Sequence, residues 1–268
     1  MKRLSLAKSQ CNSIKLHAAI ALFAILLIPG IGLAQAAEEE KKLRVNYSFE
    51  TDFNSRYVWR GLAASEGAVE QSTAKVTINS LTFYAWGNRD LDRGLRRGEF
   101  NEIDFGASYA REWKKLIVEP AFDYYQYRSP VENPSTGEAS LKLSYPAGRF
   151  RAFIKHSFDV LSYRGAYFGE AGLAYESRLG DSGVKRKMIV ASTVTLGWAS
   201  AKFNEAYIGA SKPALNVAGA RVALTWTPNR RLYLRPHFEF SHIADRRLRG
   251  HLTSPTIGNF GFAAGVNF

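Results

Sequence analysis

The chain has almost no cysteine, and this scarcity limits the chemistry that it can perform. Cys11 is the only cysteine among the 268 residues, and it lies in the N-terminal segment, before an apolar run. Removal of that segment on export would leave a mature protein without a thiol, so neither disulfides nor thiolate chemistry would feature in its function. The sequence also lacks metal-ligand spacing, a phosphate-binding loop and a nucleotide fingerprint. We therefore expect no metal and no other cofactor.

Long apolar runs are equally scarce. The clean run, 18–28, follows a basic start and precedes Pro29-Gly30 and the small-x-small sequence Ala34-Gln35-Ala36. This layout is typical of a secretory signal peptide with cleavage after Ala36. The alternative, a membrane-anchoring helix, is weaker because the run is too short to span a bilayer comfortably.

Acidic residues are outnumbered by basic ones, but the excess does not indicate nucleic-acid binding. The chain carries 36 Lys and Arg against 24 Asp and Glu, a formal net charge of +12. Part of this charge belongs to the signal peptide, in Lys2, Arg3, Lys8 and Lys15. The other basic residues are spread along the chain and form no known nucleic-acid module, so we expect no nucleic-acid partner.

Sustained helical periodicity is absent after the signal peptide, and apolar residues alternate with polar ones instead. In the closing stretch one face carries Phe260, Phe262, Ala264, Val266 and Phe268, and the other carries small or polar residues. This pattern suits the last strand of an outer-membrane barrel, with lipid on one face and the lumen on the other. A strand of a soluble β-sandwich would alternate in the same way. In the barrel, the assembly machinery is expected to depend on Phe268.

Alternating segments of about ten residues recur along the chain, which is the strand signal of such barrels. The predicted strands begin near Arg44 and then cover about 71–78, 81–88, 99–111, 116–127, 138–145, 150–158, 166–177, 187–199, 217–227, 232–243 and 259–268. Short connections near Asn79, Trp113, Pro146, Gly180 and Pro228 alternate with longer ones near Gly61, Arg93, Asn133, Tyr163, Asn204 and Arg249. Periplasmic turns and outer loops alternate in this way. Aromatic residues near the strand ends, Trp198 among them, fit the aromatic girdles.

The predicted fold is therefore all-β, a transmembrane antiparallel up-and-down barrel of about 12 strands. The barrel covers 44–268, after a signal peptide at 1–36 and a short periplasmic segment at 37–43. No helix is expected beyond the signal peptide.

A resemblance to a known family comes from the sequence that follows the first strand. Residues 51–62 read TDFNSRYVWRGL, in which Ser55, Tyr57, Trp59, Arg60 and Gly61 resemble the S-x-Y-x-[FW]-R-G hallmark of the TorF-type porins of proteobacteria. The segments 67–71, 99–105 and 203–209 are similar to further recurrent stretches of that family. Arg56 stands where members often carry Asp. The resemblance implies an outer-membrane barrel and a channel, without a defined substrate.

Physical reasoning gives this motif two alternative roles. It can anchor the outer rim, with Arg60 paired to an inward carboxylate and Gly61 allowing a bend. It can instead form a constriction of the lumen or a site that contacts solutes. The rim anchor is the simpler hypothesis.

Strand parity places charged side chains inside the barrel. The predicted acidic wall consists of Glu50, Asp52, Glu102, Asp104, Glu119 and Asp123. The predicted basic wall consists of Lys142, Arg151, Lys155, Arg221 and Arg235. Opposed walls would create a transverse field, and charged linings set the selectivity of pores. A lumen plugged by salt bridges needs the same charges, but twelve strands leave more room than the eight that side chains can fill.

We expect a passive channel of the bacterial outer membrane for small hydrophilic solutes, with a modest preference for anions. The expected partners are membrane lipid and lipopolysaccharide, whose phosphates suit arginine. The basic loop residues that would contact them are Arg89, Arg93, Arg96, Arg97, Arg246, Arg247, Arg249 and His251. The alternative is a plugged structural or adhesive barrel that contacts lipopolysaccharide.

An outer-membrane lipid hydrolase is less expected, and we predict no enzyme. Such an enzyme uses a Ser–His pair, and two such pairs are adjacent in sequence, His156-Ser157 and Ser241-His242. Neighbours on a strand point to opposite faces, so neither pair can act together, and only a pair formed across strands remains as an alternative.

Overall fold

The structure is a computed structural model that describes residues 43–92, 98–128, 134–179 and 187–268. The predicted signal peptide lies outside the described residues, as do Arg93, Arg96 and Arg97. Residues 44–268 form one unit.

The described chain consists almost entirely of β-strands, with two short helices. The strands are β1 (Val45–Asn54), β2 (Tyr57–Trp59), β3 (Leu62–Ser65), β4 (Val69–Ile78), β5 (Leu81–Asp90), β6 (Phe100–Tyr109), β7 (Arg111–Trp113), β8 (Leu116–Tyr127), β9 (Thr136–Ala147), β10 (Phe150–Asp159), β11 (Tyr167–Leu179), β12 (Lys187–Ala199), β13 (Ala214–Thr227), β14 (Leu232–Ile243) and β15 (Thr256–Asn267). The helices are α1 (Ala201–Ile208) and α2 (Arg246–Arg249).

The long strands close into a ring. Each pairs antiparallel with its neighbour along the chain, and β1 pairs with β15 to complete the circle. β6 and β7 both pair with β8, so they act as one strand interrupted at Ala110. The result is a closed antiparallel barrel of twelve strands, which confirms the predicted fold class. Closure leaves no unpaired strand edge in the wall.

Alternation along each strand gives the barrel two different surfaces. In β1, Tyr47, Phe49 and Phe53 point outward and are about half exposed, whereas Glu50 and Asp52 face the lumen. Outward apolar residues of this kind recur around the ring, at Phe83, Phe105, Phe158, Leu173, Val194, Phe240 and Phe262. Exposing each of these side chains to water instead of to an apolar environment would cost about 1.5–3 kcal/mol, so this surface suits lipid.

The two ends of the barrel differ in their connections. The turn end carries Phe268 and the tight turns 79–80, 114–115 and 148–149, with Asn79 and Lys114 at positive φ. The loop end carries the longer connections 55–68, 160–166, 200–213 and 244–255. In bacterial barrels the short turns face the periplasm.

Two helices and a small hairpin at the loop end differ from expectation. The prediction of no helix beyond the signal peptide was wrong. α1 begins after Ser200, whose side chain accepts a hydrogen bond from the Phe203 N–H, and ends at Gly209 with φ 80°. α2 is capped by Asp245 in the same manner. The hairpin β2–β3 occupies a region that the sequence pattern predicts to be a loop.

Both helices are short, and capping residues fix where they begin. Neither helix of the described chain has the length and apolar character needed to cross a membrane.

A hydrophobic core lies inside the loop end of the barrel. The wall contributes Phe168, Val217 and Ile243, which are all buried. Phe203 and Ile208 of α1 and Leu248 of α2 join them, with Trp59 and Leu62 of the hairpin packed alongside. The connections 55–68, 200–213 and 244–255 therefore fold inward and fill part of the lumen.

Candidate channel lumen

The hairpin β2–β3 lies within the barrel. The ring of Trp59 stacks on that of Phe203 of α1 with 5.8 Å between the ring centroids. It meets the ring of Tyr125 of β8 edge-on, with 6.3 Å between the centroids. Tyr57 contacts the ring of Trp86 on β5 at 5.4 Å. Because these partners belong to the wall and to α1, the segment 57–61 crosses the lumen instead of lying at the rim.

Arg60, at the tip of the hairpin, forms a buried ion pair with Glu138 of β9. Its Nη1 and Nη2 donate to the two carboxylate oxygens at 2.8 and 2.5 Å, and the side chains are only 12% and 4% exposed. The Tyr125 hydroxyl also donates to Glu138, at 3.1 Å. The guanidinium lies 4.4 Å from the Trp59 ring centroid and 4.5 Å from that of Phe168. Arg60 is thus paired with an inward carboxylate, as the anchor hypothesis required.

The other motif residues fix the path of the hairpin. Arg60 and Gly61 have φ values of 52° and 80°, which turn the chain sharply. A Cβ at Gly61 would lie 2.6 Å from Cγ2 of Val217, so the approach to the wall requires glycine. At the base of the connection, the Ser55 hydroxyl donates to Asn259 Oδ1 at 2.9 Å.

Three predicted acidic-wall residues are covered by the packing around the hairpin. Glu102 accepts hydrogen bonds from the hydroxyls of Tyr57 and Tyr127. Asp123 Oδ1 accepts one from Tyr84 at 2.6 Å. Asp104 is 6% exposed, and its Oδ1 has no hydrogen-bond partner among the described residues. These carboxyl groups lie in a packed region rather than beside open space.

The predicted acidic and basic walls meet at the seam between the first and last strands. Arg235 of β14 donates to both carboxylate oxygens of Glu50 on β1 at 2.6 Å. The Tyr233 hydroxyl donates to Glu50 Oε2 at 2.5 Å. His237 Nε2 lies 3.7 Å from Asp52 Oδ2. The charge of Arg235 is therefore balanced by a neighbouring carboxylate.

The closing strand leaves room for these contacts. The inward face of β15 carries Gly261, Ala263 and Gly265 between β14 and β1. A Cβ at Gly265 would collide with the ring of Tyr233, and one at Gly261 would collide with His237. Small residues here let long side chains of β14 reach across to β1.

The other basic-wall residues have no such partners. Lys142, Arg151, Lys155 and Arg221 form no ion pair or side-chain hydrogen bond with the described residues. Lys142 and Lys155 lie opposite Glu119 and Glu170 in strand register, so some acidic groups stand on the basic side. Lys142 Nζ lies 5.2 Å from the centroid of Phe153.

Accessibility of the lumen differs between the two ends. Near the loop end, inward side chains from around the ring are buried, including those of Val69, Asn88, Glu138, Ser157, Val217, Ser241, Ile257 and Asn259. Lys75, Arg151 and Glu176, which face the lumen nearer the turn end, are exposed. A cavity of about 580 Å³ at the turn end includes Arg151, Glu176 and Thr193 in its wall. The lumen is thus packed at one end and open at the other.

In each of the two adjacent Ser–His pairs, the two side chains point to opposite faces of the strand, as strand parity predicted. His156 hydrogen-bonds Tyr167 on the outer wall, while Ser157 is buried inside. His242 shares a hydrogen bond with Thr256, and Ser241 is buried. The described residues contain no group of three His, Cys, Asp or Glu side chains that could hold a metal ion.

No protein-family model matches the chain, and no curated protein matches it. Among solved structures it is similar to the NanC porin, with 12% identity, a TM-score of 0.51, and coverage of 82% of this chain and 98% of that chain. It is also similar to the KdgM porin, with 11% identity, a TM-score of 0.49, and coverage of 82% and 98%. A third is the COG4313 outer membrane channel from Pseudomonas putida F1, with 10% identity, a TM-score of 0.41, and coverage of 90% and 100%.

The similarity to the NanC porin shows a shared barrel fold, and at this identity it shows nothing about a substrate. Membership of the TorF-type family stays a prediction. The chain has the fold of an outer-membrane porin.

Proposed function

We propose that the protein is an outer-membrane channel for small hydrophilic solutes, narrowed near its loop end by the hairpin β2–β3. The observation that carries this proposal is the exposed charge in the lumen, where Arg151 and Arg221 are exposed and form no ion pair or side-chain hydrogen bond with the described residues. Withdrawing an unpaired charge from water costs several kcal/mol, so such side chains need a hydrated lumen. A barrel that serves only as a scaffold has no need of them.

The hairpin supplies the constriction in this proposal. Its tip is fixed by the Arg60–Glu138 pair and by ring contacts of Trp59 with the wall and α1. A solute that enters from the loop end must pass these side chains before it reaches the open part of the lumen. The motif therefore selects by size in this proposal, while the charged lining selects by sign.

A modest preference for anions follows from the pairing of the charges. Glu50 neutralises Arg235, and Glu102, Asp104 and Asp123 lie within packing. The inward residues of the predicted basic wall that form no ion pair with the described residues are Lys142, Arg151, Lys155 and Arg221, and Glu239 lies opposite Arg221 in strand register. Glu119 and Glu170, which lie opposite Lys142 and Lys155, limit the bias.

Planar-bilayer recording tests the proposal. We expect the parent protein to conduct in small steps, with a reversal potential in a salt gradient that indicates weak anion selectivity. Changing Arg151→Gln and Arg221→Gln together should shift the reversal potential towards cations. The shift should shrink as salt rises, since the Debye length is about 8 Å at physiological ionic strength and about 3 Å at 1 M.

Lys115→Gln with Arg230→Gln is the matched control. Both residues are exposed in turns outside the lumen, and the pair removes the same charge. The control should keep the parent reversal potential. Equal shifts in the two double variants would show that Arg151 and Arg221 do not line the path.

The second candidate is a plugged structural or adhesive barrel, and the buried inward side chains near the loop end favour it. A parent protein without any conductance would support this candidate and remove the channel. Either candidate places the barrel in the outer membrane, with Phe268 as the signal for the assembly machinery. Phe268 is 65% exposed at the turn end, and its N–H donates to the Tyr47 carbonyl.

Contact of the loops with lipopolysaccharide belongs to both candidates. Of the predicted loop residues, Arg89 is paired with Glu70 and Arg249 donates to the carbonyls of Ile243 and Ala244. Arg246, Arg247 and His251 remain around a surface cavity of about 490 Å³ and are available for phosphate.

A further inference from the structure

A hydrogen-bonded cluster of aromatic side chains lies on the outer wall of the barrel. The Tyr167 hydroxyl accepts a hydrogen bond from Trp198 Nε1 at 2.9 Å and shares another with His156 Nδ1 at 2.8 Å. The imidazole stacks against the Tyr167 ring with an interplanar angle of 18°. All three side chains lie above Gly169, where a Cβ would collide with both Tyr167 and Trp198. The cluster therefore joins β10, β11 and β12.

The strand register shows that this cluster faces away from the lumen. His156 lies opposite Leu141, Trp198 lies opposite Leu215, and Phe158 packs on the ring of Tyr167 at 4.8 Å. Leu141, Leu215 and Phe158 are exposed apolar residues of the outer surface. In a barrel that crosses a membrane, the occupant of such a surface is lipid.

The cluster lies near the loop-side ends of its strands, where a membrane would place the lipid headgroups. Tyr167 is the first residue of β11, and Trp198 is the last but one of β12. Aromatic residues with a polar edge favour this boundary. Because the Tyr167 hydroxyl accepts from Trp198, its hydrogen can bond His156 Nδ1, and the imidazole hydrogen then lies on Nε2. That nitrogen has no partner among the described residues.

Two basic residues follow the cluster along the chain at the same end. Lys202, in the first turn of α1, donates to the Arg164 carbonyl, which ties α1 to the connection between β10 and β11. The Arg164 guanidinium is exposed and has no partner in the described chain. The Tyr167 N–H donates to Ser200 Oγ at 3.1 Å, which holds both basic segments beside the cluster.

We propose that these residues form a binding site for a phosphorylated glycolipid of the outer leaflet. The rings of Tyr167 and Trp198 and the free His156 Nε2 would meet the sugar and its acyl linkages. Arg164 and Lys202 would bind the phosphate, since charge-assisted hydrogen bonds to phosphate are strong. The assignment rests on the outer-membrane location but not on conductance, so a barrel without channel activity leaves it intact.

Native mass spectrometry of the detergent-purified full chain tests this site. The probes are deep-rough lipopolysaccharide and phosphatidylethanolamine, titrated in parallel. We expect the parent to hold one molecule of lipopolysaccharide in preference to phosphatidylethanolamine. Arg164→Gln with Lys202→Gln should weaken lipopolysaccharide binding by about 30-fold, because each basic residue near an anionic surface contributes about fivefold. His156→Phe, which keeps an aromatic ring, should weaken it severalfold.

The control is again Lys115→Gln with Arg230→Gln, which should bind as the parent does. Heat-modifiable migration on gels shows that each variant retains its barrel. Equal binding of the two lipids would show that the cluster is part of an aromatic girdle without lipid preference, and it would contradict the proposed site. So would unchanged binding in Arg164→Gln with Lys202→Gln, or a dimer in which a second copy covers Trp198.

Discussion

Arg60 shows how a single residue can hold a connection inside a barrel. Its backbone adopts φ 52°, which is uncommon for a residue other than glycine, and its charge is buried. Bidentate pairing with Glu138 and the rings of Trp59 and Phe168 compensate for both features. Lysine would be a poor substitute, because it lacks the planar fork that fits a carboxylate and stacks on rings.

Glu138→Gln should release the hairpin. The change leaves the Arg60 guanidinium buried without a counter-charge, which costs about 3–5 kcal/mol in comparable buried pairs. The hairpin can avoid this cost by leaving the lumen. We expect trypsin to cleave after Arg60 in this variant and not in the parent, with the cleavage site identified by mass spectrometry.

Glu66→Gln is the matched control on the same connection. It breaks the Arg56–Glu66 pair, whose atoms are 3.1 Å apart on exposed side chains. Exposed pairs contribute about 0–1 kcal/mol, so Arg60 should stay protected from trypsin. Equal protection in Glu138→Gln would show that ring contacts hold the hairpin without the ion pair.

At the scale of elements, β15 combines two requirements on its two faces. The outward residues Phe260, Phe262 and Val266 suit lipid, and the inward Gly261 and Gly265 make room for side chains of β14. Phe262 lies in the middle of the strand and is 45% exposed, whereas Val266 lies near the turn end. The same substitution at these two positions therefore samples two depths of the membrane.

Phe262→Lys should destabilise the barrel more than Val266→Lys. A lysine at the bilayer midplane costs about 2–4 kcal/mol, and one near the interface about 0–1 kcal/mol. Urea unfolding in phospholipid vesicles measures both free energies of unfolding. Equal losses at the two positions would mean that the membrane is not centred on the middle of β15.

All twelve wall strands could be predicted from the sequence, because the alternation of apolar and polar residues is a strong signal when it continues over about ten residues. Helix α1 was missed because eight residues give little more than two turns, and period counting is weak at that length. Its signals were present in Ser200 and Gly209, which cap the helix. The hairpin was missed because Arg60–Gly61 resembles a bend at a rim, and only tertiary contacts bring it inward.

For the lumen, parity alone predicted which charges face inward but not which of them are paired. The Glu50–Arg235 contact crosses an intervening strand, so it depends on how far each side chain reaches over β15. The cover over Glu102 and Asp104 comes from the hairpin, whose position the sequence did not reveal. Roles for these residues in permeation stay predictions.

Considered as a whole molecule, the barrel joins a packed end to an open one. Around the loop end, the inserted hairpin and α1 give the lumen a hydrophobic core like that of a soluble domain. Towards the turn end, inward side chains such as Arg151 and Glu176 are exposed. A probe that enters from the turn end should therefore reach only part of the lumen.

Thiol labelling should detect this asymmetry. The predicted mature chain has no cysteine, so single cysteines can be introduced at inward positions of the wall. Thr193→Cys borders the open cavity, and Ser157→Cys replaces a side chain that is 2% exposed near the loop end. We expect a hydrophilic maleimide to label position 193 rapidly and position 157 slowly in folded protein. Similar rates at both positions would contradict the packed loop end.

The contact of Glu50 with Arg235 has a consequence for assembly. The two residues are 185 positions apart in the sequence, and β15 lies between their strands. Before the last strand is in place, nothing holds the carboxylate and the guanidinium near each other. In an unfinished sheet both charged groups therefore remain hydrated. Ion pairing and closure are consequently one event, so the completed ring differs from every precursor in having these two charges paired as well as in its shape.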